Sequence, residues 1–307
     1  MSFLNLQAGH TAVITGAGSG FGLELARLGA ARGLNLVLTD VQDDALDAVV
    51  SELSQTGASV AALRGDVSRA EDIQALADLC MERFGAPNLV VNNAGVASGG
   101  LIWEQSLRDW DWVLGVNLYG VIHGVHTFTP LMLDAARKDP NWRGHIVNVA
   151  SMAGLLNAPN MGAYNVSKHA VVSLTETLYQ DLALVTEQVR ASVLCPYFVP
   201  TGIHQSHRNR PAELASQGKP TASQMIAQAM STKAVTSGKV TAADVAAIVF
   251  DGVAQAQFYL YTHPKALGMV QTRLEDVVQG RNPTDPFEGK PEIGDQLRQA
   301  LRAALNG

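Results

Sequence analysis

The sequence predicts an α/β protein of Rossmann type, with a doubly wound parallel sheet of about seven strands and helices on both faces. Three observations lead to this prediction. Short apolar runs rich in Val, Ile and Leu alternate with longer segments of helical period. The runs are apolar at consecutive positions, as strands covered on both faces are. A glycine-rich turn joins the first run to the first helical segment.

The strands and helices follow in alternation. The predicted strands are Thr11–Thr15, Leu34–Asp40, Ser59–Leu63, Asn88–Asn92, His145–Ala150, Ala191–Cys195 and Phe258–Tyr261. The predicted helices are Phe21–Arg32, Asp43–Ser54, Arg69–Phe84, Leu107–Ala136, Ala163–Thr186, Ala266–Val278 and Gln296–Leu305. Repeated strand–helix–strand order predicts parallel pairing. No linker divides the chain, so we expect one domain over residues 1–307, with a polar insertion at 201–240 and an extension at 263–307.

Composition excludes several classes of protein. Charged residues are 16% of the chain against ~25% in an average domain, and 47% of residues are hydrophobic, which excludes general disorder. No apolar window of ~18 residues predicts a membrane span, and Met1–Gln7 shows no secretory signal. A net charge of −6 gives no support to nucleic-acid binding. Two cysteines without metal-ligand spacing fit the reducing cytoplasm, and we expect no metal site.

The first strand ends in a glycine-rich turn that suits a phosphate. Glycines there permit unusual backbone angles and let the chain approach a pyrophosphate, while the helix start offers free N–H groups. A glycine-rich turn without a ligand is the alternative, and the strand–turn–helix context favours binding. The residues predicted to bind the cofactor at this turn are Gly16, Gly18, Ser19, Gly20, Phe21 and Gly22.

Asp40 ends the second predicted strand, 18 residues beyond Gly22. A carboxylate there accepts hydrogen bonds from both hydroxyls of an adenosine ribose and repels a 2′-phosphate. Neither position 19 nor position 41 carries Arg or Lys to counter it. The alternative is that Asp40 caps the next helix. We therefore expect NAD rather than NADP.

Tyr164 and Lys168 lie four residues apart in a helical segment, so they share one face. A phenol of pKa ~10 is a weak base at neutral pH, and a neighbouring ammonium together with an oxidised nicotinamide favours its phenolate. Ser151, after the fifth predicted strand, is placed to hydrogen-bond a substrate oxygen. A surface Tyr–Lys pair is the alternative, and the glycine turn weighs against it.

These motifs together resemble the short-chain dehydrogenase/reductase family, in its compact branch with a TGxxxGxG turn and a YxxxK pair. The resemblance covers residues 8–262. It implies that Asn117, Ser151, Tyr164 and Lys168 are catalytic, with Asn117 holding a water in a proton relay. It also implies cofactor contacts from Asp66, Val67, Asn93, Ala94, Gly95, Tyr164, Lys168, Val199 and Thr201. The expected function is an NAD(H)-dependent alcohol dehydrogenase or ketone reductase, and the alternative is a catalytically idle dinucleotide-binding protein on the same fold.

One departure from the family pattern concerns the substrate pocket. The family has Pro-Gly after the sixth strand, whereas this chain has Pro196-Tyr197, which places an aromatic ring at the pocket mouth. We expect an apolar or aromatic substrate, although each pocket candidate could instead pack the core. The candidates are Ser151, Ala97, Leu155, Tyr197 and Phe198.

The insertion at 201–240 carries five Arg or Lys residues against Glu213 alone. We expect a mobile lid over the substrate whose cations, Arg208 and Arg210 among them, attract an anionic group or the cofactor phosphates. A solvated loop is the alternative. The long segments Leu107–Ala136 and Ala163–Thr186 form the dimer in the family, so we expect a homodimer or homotetramer.

Overall fold

A sheet of seven parallel strands forms the centre of the molecule, in the order β3-β2-β1-β4-β5-β6-β7. The structure is a computed structural model that describes residues 2–215 and 218–306, so four positions of the predicted domain, two of them in its insertion, lie outside the described residues. The strands are β1 (Thr11–Thr15), β2 (Asn35–Asp40), β3 (Val60–Arg64), β4 (Leu89–Asn92), β5 (Gly144–Val149), β6 (Val189–Cys195) and β7 (Tyr259–Tyr261).

Helices cover both faces of the sheet, as a Rossmann fold requires. They are α1 (Gly20–Ala31), α2 (Asp43–Gln55), α3 (Ala70–Arg83), α4 (Leu107–Leu114), α5 (Gly120–Lys138), α6 (Gly162–Val185), α7 (Ala222–Thr236), α8 (Ala242–Gln255), α9 (Leu267–Gln279) and α10 (Pro291–Asn306). Side chains alternate along each strand: Ala12 and Ile14 join the core beneath α1, α2 and α8, whereas Val13 joins the core beneath α3, α5 and α6. The predicted fold class is therefore confirmed.

The strand order creates a crevice between β1 and β4. From β1 the chain builds outward through β2 and β3, and it then returns to add β4 on the other side of β1. Loops leaving β1 and β4 diverge at their carboxyl ends, and in open α/β sheets ligands bind at this switch point. The glycine turn leaves β1 at this edge of the sheet.

One predicted helix needs correction, and two observed helices, α7 and α8, were not predicted. Leu107–Ala136 is not one regular helix, because a π-helical segment, Gly115–Tyr119, separates α4 from α5. Helix α8 was not predicted at all. It is buried through Val245, Val249 and Phe250 and carries only two charged residues, Asp244 and Asp251, so its polar face is narrow. Strand boundaries differ from the predicted ones by no more than two residues.

The insertion is more ordered than its polar composition suggests. It contains two short 3₁₀ segments, Gly202–Asn209 and Ala212–Leu214, followed by α7. Helix α10 of the C-terminal extension packs on α7, so the extension reaches back over the insertion. Among the described residues, no helix combines the length and hydropathy needed to cross a bilayer.

Candidate active site

The glycine turn after β1 is tightly folded, and larger residues would not fit it. Gly16 has φ +65°, and a Cβ on Gly22 would lie 2.1 Å from the Gly16 carbonyl oxygen. The turn can therefore fold against the start of α1 only with glycine at position 22. Gly20, with φ +56°, also adopts a left-handed conformation.

The start of α1 has no cap of its own. The backbone of Ser19 is extended, its side chain makes no capping hydrogen bond, and the first turn holds no acidic residue. The N–H groups and the positive end of the helix dipole are thus available to an anion. The Phe21 ring packs on the core beneath α1. This leaves the backbone of Phe21, and not its ring, for the predicted contact with a cofactor.

Asp40 is fixed beside the turn by two backbone N–H groups. Its Oδ2 accepts from the Gly18 N–H at 2.9 Å, and its Oδ1 accepts from the Gln42 N–H at 2.9 Å. A Cβ on Gly18 would lie 2.9 Å from the same Oδ2, which explains the glycine. Gln42, not Asp40, is the residue that precedes α2. The helix-capping alternative therefore explains less of this geometry than the contact with the turn does.

The loop after β4 is tied to the glycine turn. The Asn93 side-chain Nδ2 donates to the carbonyl oxygens of Thr15 at 2.8 Å and Gly16 at 3.1 Å. The backbone N–H groups of Asn93 and Ala94 both donate to the Thr15 hydroxyl, at 2.9 and 3.1 Å. These bonds hold the two walls of the crevice at a set separation.

Asp66 and Val67 follow β3 and form another part of this edge. Asp66 Oδ1 accepts from the Ser68 N–H and from its hydroxyl, at 2.9 and 2.7 Å. Val67 is buried, and a Cβ on Gly120 would lie 2.7 Å from its Cγ2. Gly120 therefore lets α5 approach the loop after β3.

Tyr164 and Lys168 lie on α6 with both side chains buried. Lys168 Nζ is 5.8 Å from the centre of the Tyr164 ring and donates to the Val149 carbonyl at 2.9 Å. Lys168 is 2% exposed, and no carboxylate lies within 4 Å of it among the described residues. A buried cation without a partner is costly to the fold.

Burial sets the proton affinities of this pair. It raises the pKa of the Tyr164 phenol, and a hydrogen bond with Ser151 opposes that rise. It lowers the pKa of the Lys168 ammonium to about 8. In the protein alone, desolvation of the phenol thus outweighs its hydrogen bond with Ser151, and the pKa shifts upward, opposite to the lowering that the sequence predicts from the neighbouring ammonium.

Ser151 follows β5, and its Oγ accepts from the Ala153 N–H at 3.1 Å. The same hydroxyl donates to the Pro196 carbonyl at 3.4 Å, so it lies at the end of the sheet, near enough to the Tyr164 phenol to lower that group's pKa. The four-residue spacing on α6 and the end of β5 therefore bring Ser151, Tyr164 and Lys168 together.

Asn117 lies within the π-helical segment and is fully buried. Its Oδ1 accepts from the Val96 N–H at 2.8 Å, and its Nδ2 donates to the Val96 carbonyl at 2.9 Å and to Ser167 Oγ at 3.1 Å. A Cβ on Gly95 would lie 3.5 Å from Asn117 Oδ1 and 3.6 Å from Lys168 Nζ. Gly95 therefore separates the asparagine from the lysine. Ser167 was not predicted, although its place directly before Lys168 could have suggested a role.

The remaining cofactor candidates flank the insertion. Val199 is buried in the core beneath α1 and α8. Thr201 lies against the glycine turn, with its Cβ 3.5 Å from the position a Gly20 Cβ would take. Its hydroxyl accepts from the Ile203 N–H and starts the first 3₁₀ segment.

The predicted pocket residues divide into two groups. Tyr197 packs with Leu155 against α6 and the start of the C-terminal extension, and its ring centre lies 4.2 Å from that of Phe198. Phe198 is 38% exposed, so it does not form an enclosed wall. Ala97 lies elsewhere, beneath the insertion, where its N–H donates to Ser206 Oγ at 2.9 Å.

Thr262, directly after β7, and His263, at the start of the extension, are two neighbours of Tyr197 that sequence reasoning missed. Thr262 Oγ1 accepts from the Tyr197 N–H at 3.1 Å, and the His263 ring lies edge-on to the Tyr197 ring at 5.8 Å. Neither residue belongs to a motif, so no local pattern could have indicated this contact.

Arg210 does not have the role predicted for it in the insertion. Its Nη1 pairs with Asp109 Oδ1 at 2.5 Å, and its guanidinium lies over the Trp112 ring at 5.1 Å. The side chain is only 12% exposed. This cation is neutralised within the protein and fastens the insertion to α4, so the prediction that it attracts an anion is wrong.

The crevice, the glycine turn and the Tyr–Lys pair define a dehydrogenase of the Rossmann class. A family profile described as short chain dehydrogenase matches residues 10–212, and the chain belongs to that family. The family resemblance predicted from the motifs is thus confirmed. The described residues hold no group of three or more His, Cys, Asp or Glu side chains placed to bind a metal.

Three known proteins show how similar this chain is to members of the family. A short chain dehydrogenase/reductase from Burkholderia phymatum, solved in complex with NAD, is 51% identical with TM-score 0.89, and the match covers 92% of this chain and 99% of that one. The CLA biosynthesis dehydrogenase/reductase of Lactiplantibacillus plantarum is 32% identical, over 86% of this chain and 92% of the relative. The cyclohexanol dehydrogenase of an Acinetobacter strain is 34% identical, over 62% and 73%.

Proposed function

We propose that this oxidoreductase interconverts a secondary alcohol and a ketone with NAD as its cofactor, on an apolar or aromatic substrate. The observation that carries the proposal is the meeting of Ser151, Tyr164 and Lys168, with Lys168 Nζ next to Gly95 in the loop that is tied to the glycine turn. Lys168 is a buried ammonium without a carboxylate partner in the described structure, and such groups cluster at functional sites. The relatives of this chain include a short chain dehydrogenase/reductase solved in complex with NAD and a protein named cyclohexanol dehydrogenase.

The crevice fits a dinucleotide that lacks a 2′-phosphate. Gly22 leaves no room for a side chain between the turn and α1, and the uncapped N–H groups suit a pyrophosphate. Asp40 accepts one backbone bond on each oxygen, and a carboxylate has about four acceptor sites, so both oxygens retain capacity for ribose hydroxyls. When bound, NAD would supply the carbon that accepts or donates the hydride.

The side chains of the protein would then handle the proton. Tyr164 transfers it to or from the substrate oxygen, and Ser151 holds that oxygen in place. Lys168, on the same face of α6, stabilises the phenolate electrostatically. Asn117 and Lys168 flank Gly95, and this arrangement would continue the proton path away from the phenol.

The two reaction directions should respond oppositely to pH. Alcohol oxidation requires the phenolate form of Tyr164. Because burial raises the pKa of this phenol, the rate of oxidation should increase at alkaline pH. Ketone reduction requires the phenol form and should decline there. Lys168, with a pKa of about 8, loses its charge as pH rises through that value, which limits the gain in oxidation. We expect the oxidation optimum to lie above the reduction optimum.

A panel of secondary alcohols tests the proposal, with NAD and NADP compared by the absorbance of the reduced cofactor. We expect turnover with NAD, and we expect Tyr164→Phe to lower kcat by about 10²-fold or more because it removes the transferred proton. NAD affinity should change little. Tyr179→Phe, on the same helix but packed against Phe258, is the matched control and should retain activity.

The idle dinucleotide-binding alternative predicts a different result. In that case NAD binds, but no alcohol or ketone in the panel is turned over and Tyr164→Phe changes nothing. Retained turnover in Tyr164→Phe would show that another group transfers the proton.

A further inference from the structure

The first 3₁₀ segment of the insertion, Gly202–Asn209, crosses the mouth of the crevice. It touches the loops that leave three strands at their carboxyl ends. Thr201 lies against Gly20 of the turn after β1. Ser206 accepts from the Ala97 N–H of the loop after β4. Arg208 reaches the residue before α2, after β2. The segment thus spans the crevice from wall to wall.

The Arg208 guanidinium is held there by long contacts only. Its Nε donates to Gln42 Oε1 at 3.3 Å, and its Nη1 donates to the carbonyl oxygens of Gly202 and Gln205 at 3.2 and 3.4 Å. Charge-assisted bonds to phosphate or carboxylate are shorter, at about 2.7–2.9 Å. No carboxylate lies within 4 Å of Arg208 in the described part of the chain. Its charge is therefore not neutralised.

The partners of this guanidinium place it along the predicted path of the dinucleotide. Gln42 donates its N–H to Asp40 Oδ1, and the other oxygen of Asp40 accepts from Gly18. On the opposite side, the guanidinium nitrogens lie 3.0 and 3.3 Å from the position of a Gly202 Cβ, directly after the threonine that covers Gly20. The cation therefore lies between Gln42, which is bonded to the Asp40 carboxylate, and Gly202, which follows the threonine in contact with Gly20.

We propose that Arg208 binds the pyrophosphate of the dinucleotide. This proposal rests on the proposed NAD function and adds a contact from the insertion to those from the glycine turn. A guanidinium presents a planar fork of donors that matches phosphate oxygens, and exchanging its long neutral contacts for charged ones strengthens its hydrogen bonds. Gln42 holds the side chain over the crevice without cancelling its charge. Cofactor binding then also fastens the insertion in its closed position.

The test compares Arg208→Gln with wild type and with Lys233→Gln, which removes an exposed cation from α7 of the same insertion. Isothermal titration calorimetry measures Kd for NAD, ADP-ribose and adenosine. We expect Arg208→Gln to raise the Kd for NAD and for ADP-ribose by about tenfold, as loss of a charged hydrogen bond does. The Kd for adenosine should not change. Lys233→Gln should match wild type. Arg208→Lys should recover part of the loss, because it keeps the charge without the fork.

Hydrogen exchange of residues 202–209 gives a second measurement. NAD should slow exchange there in wild type and have a much smaller effect in Arg208→Gln. Equal Kd values for ADP-ribose in wild type and Arg208→Gln would overturn the proposal. So would a loss that appears equally with adenosine, since the contact would then be with the nucleoside. Failure of wild type to bind NAD at all would instead refute the proposed function.

Discussion

Two buried cations in this protein show how the surroundings of a side chain separate a structural role from a functional one. Arg210 has an ion-pair partner in Asp109 and an aromatic face in Trp112, so its burial is compensated and it joins two parts of the chain. Lys168 has the Val149 carbonyl and the face of the Tyr164 ring, but no carboxylate among the described residues neutralises it. An uncompensated charge persists where a function requires it. In the sequence both residues are simply cations. Only their neighbours in the fold distinguish the structural role of one from the functional role of the other.

His145 is a third buried titratable group, and it lies away from the proposed chemistry. Its Nε2 lies 2.6 Å from Ser192 Oγ, and that hydroxyl donates to the Gln257 carbonyl, so Nε2 carries the proton. Its Nδ1 has no hydrogen-bond partner among the described residues. Burial lowers the pKa of His145 to about 3 from its usual 6.5. The folded protein therefore keeps this ring neutral under mildly acidic conditions.

This shift predicts a specific loss of stability in acid. Between pH 6.5 and about 3 the unfolded chain binds a proton at His145 that the folded chain does not, so the free energy of unfolding falls as pH falls. The contribution is about 1.4 kcal/mol per pH unit. His145→Gln keeps a donor for Ser192 and removes the titration. Between pH 6.5 and 5, we expect the free energy of unfolding of this variant to fall by about 2 kcal/mol less than that of wild type, as measured by urea unfolding.

The exposed His207→Gln is the matched control for this measurement and should follow wild type. If His145→Gln loses stability in acid as steeply as wild type does, buried His145 is not the source of the slope.

At the scale of elements, α7 packs closely on the loop that follows β4. The Leu101 N–H donates to Ser223 Oγ at 2.9 Å, and the Asn160 side chain donates to the Ser223 carbonyl at 3.1 Å. A Cβ on Gly99 would lie 2.5 Å from the Cβ of Ala227. The insertion is therefore closed on the site through a helix–loop contact that requires a glycine.

A compensating pair of substitutions tests whether this contact positions the insertion for catalysis. Gly99→Ala should push α7 away at a cost of about 1–3 kcal/mol, and we expect KM for substrate to rise about tenfold. Adding Ala227→Gly removes the opposing methyl group and should restore most of the affinity. Ala227→Gly alone is the control for the lost alanine in α7.

The kinetic constants of the four proteins in this cycle decide the question. A double variant as impaired as Gly99→Ala would mean that the defect arises from another contact, such as the Asn160 carbonyl 3.1 Å from the same position.

At the scale of the whole molecule, many large apolar side chains remain exposed, and two groups of them lie on helical segments. One comprises Leu107, Tyr119 and Val166, on α4, the π-helical segment and α6. The other is a stripe on α9 that includes Leu274 and Val278. Exposed apolar surface of this kind marks contacts with other protein chains. The first surface lies on the long helical segments for which the sequence predicts a dimer.

We therefore expect the protein to have twice its chain mass of 32.6 kDa, or a multiple of that, by light scattering after size exclusion. Val166→Asp, at a position 46% exposed, should shift the mass toward the monomer because it buries a charge in the contact. Val278→Asp, at a position 85% exposed on α9, is the control for the dimer. Dissociation by Val278→Asp alone would place the dimer contact on the other surface.

The sequence by itself determined the fold class, the order of the strands and helices, and the residues of the glycine turn and the Tyr–Lys pair. Each depends on local pattern: consecutive apolar residues for buried strands, four-residue spacing for a helix face, and glycine where a side chain does not fit. It failed for α7, which lies in the polar insertion, for α8, which carries only two charged residues, and for the π-helical segment at Asn117, whose side chain bonds to Val96 and Ser167.

Only the tertiary structure decided which of two neighbouring arginines is neutralised and which is not. Arg208 and Arg210 stand in the same polar segment, and their sequence surroundings do not distinguish them. Asp109 lies about a hundred residues from Arg210, and Gln42 lies farther still from Arg208. The net effect of a charge depends on the groups within a few ångströms of it, and folding brings those groups from distant parts of the chain.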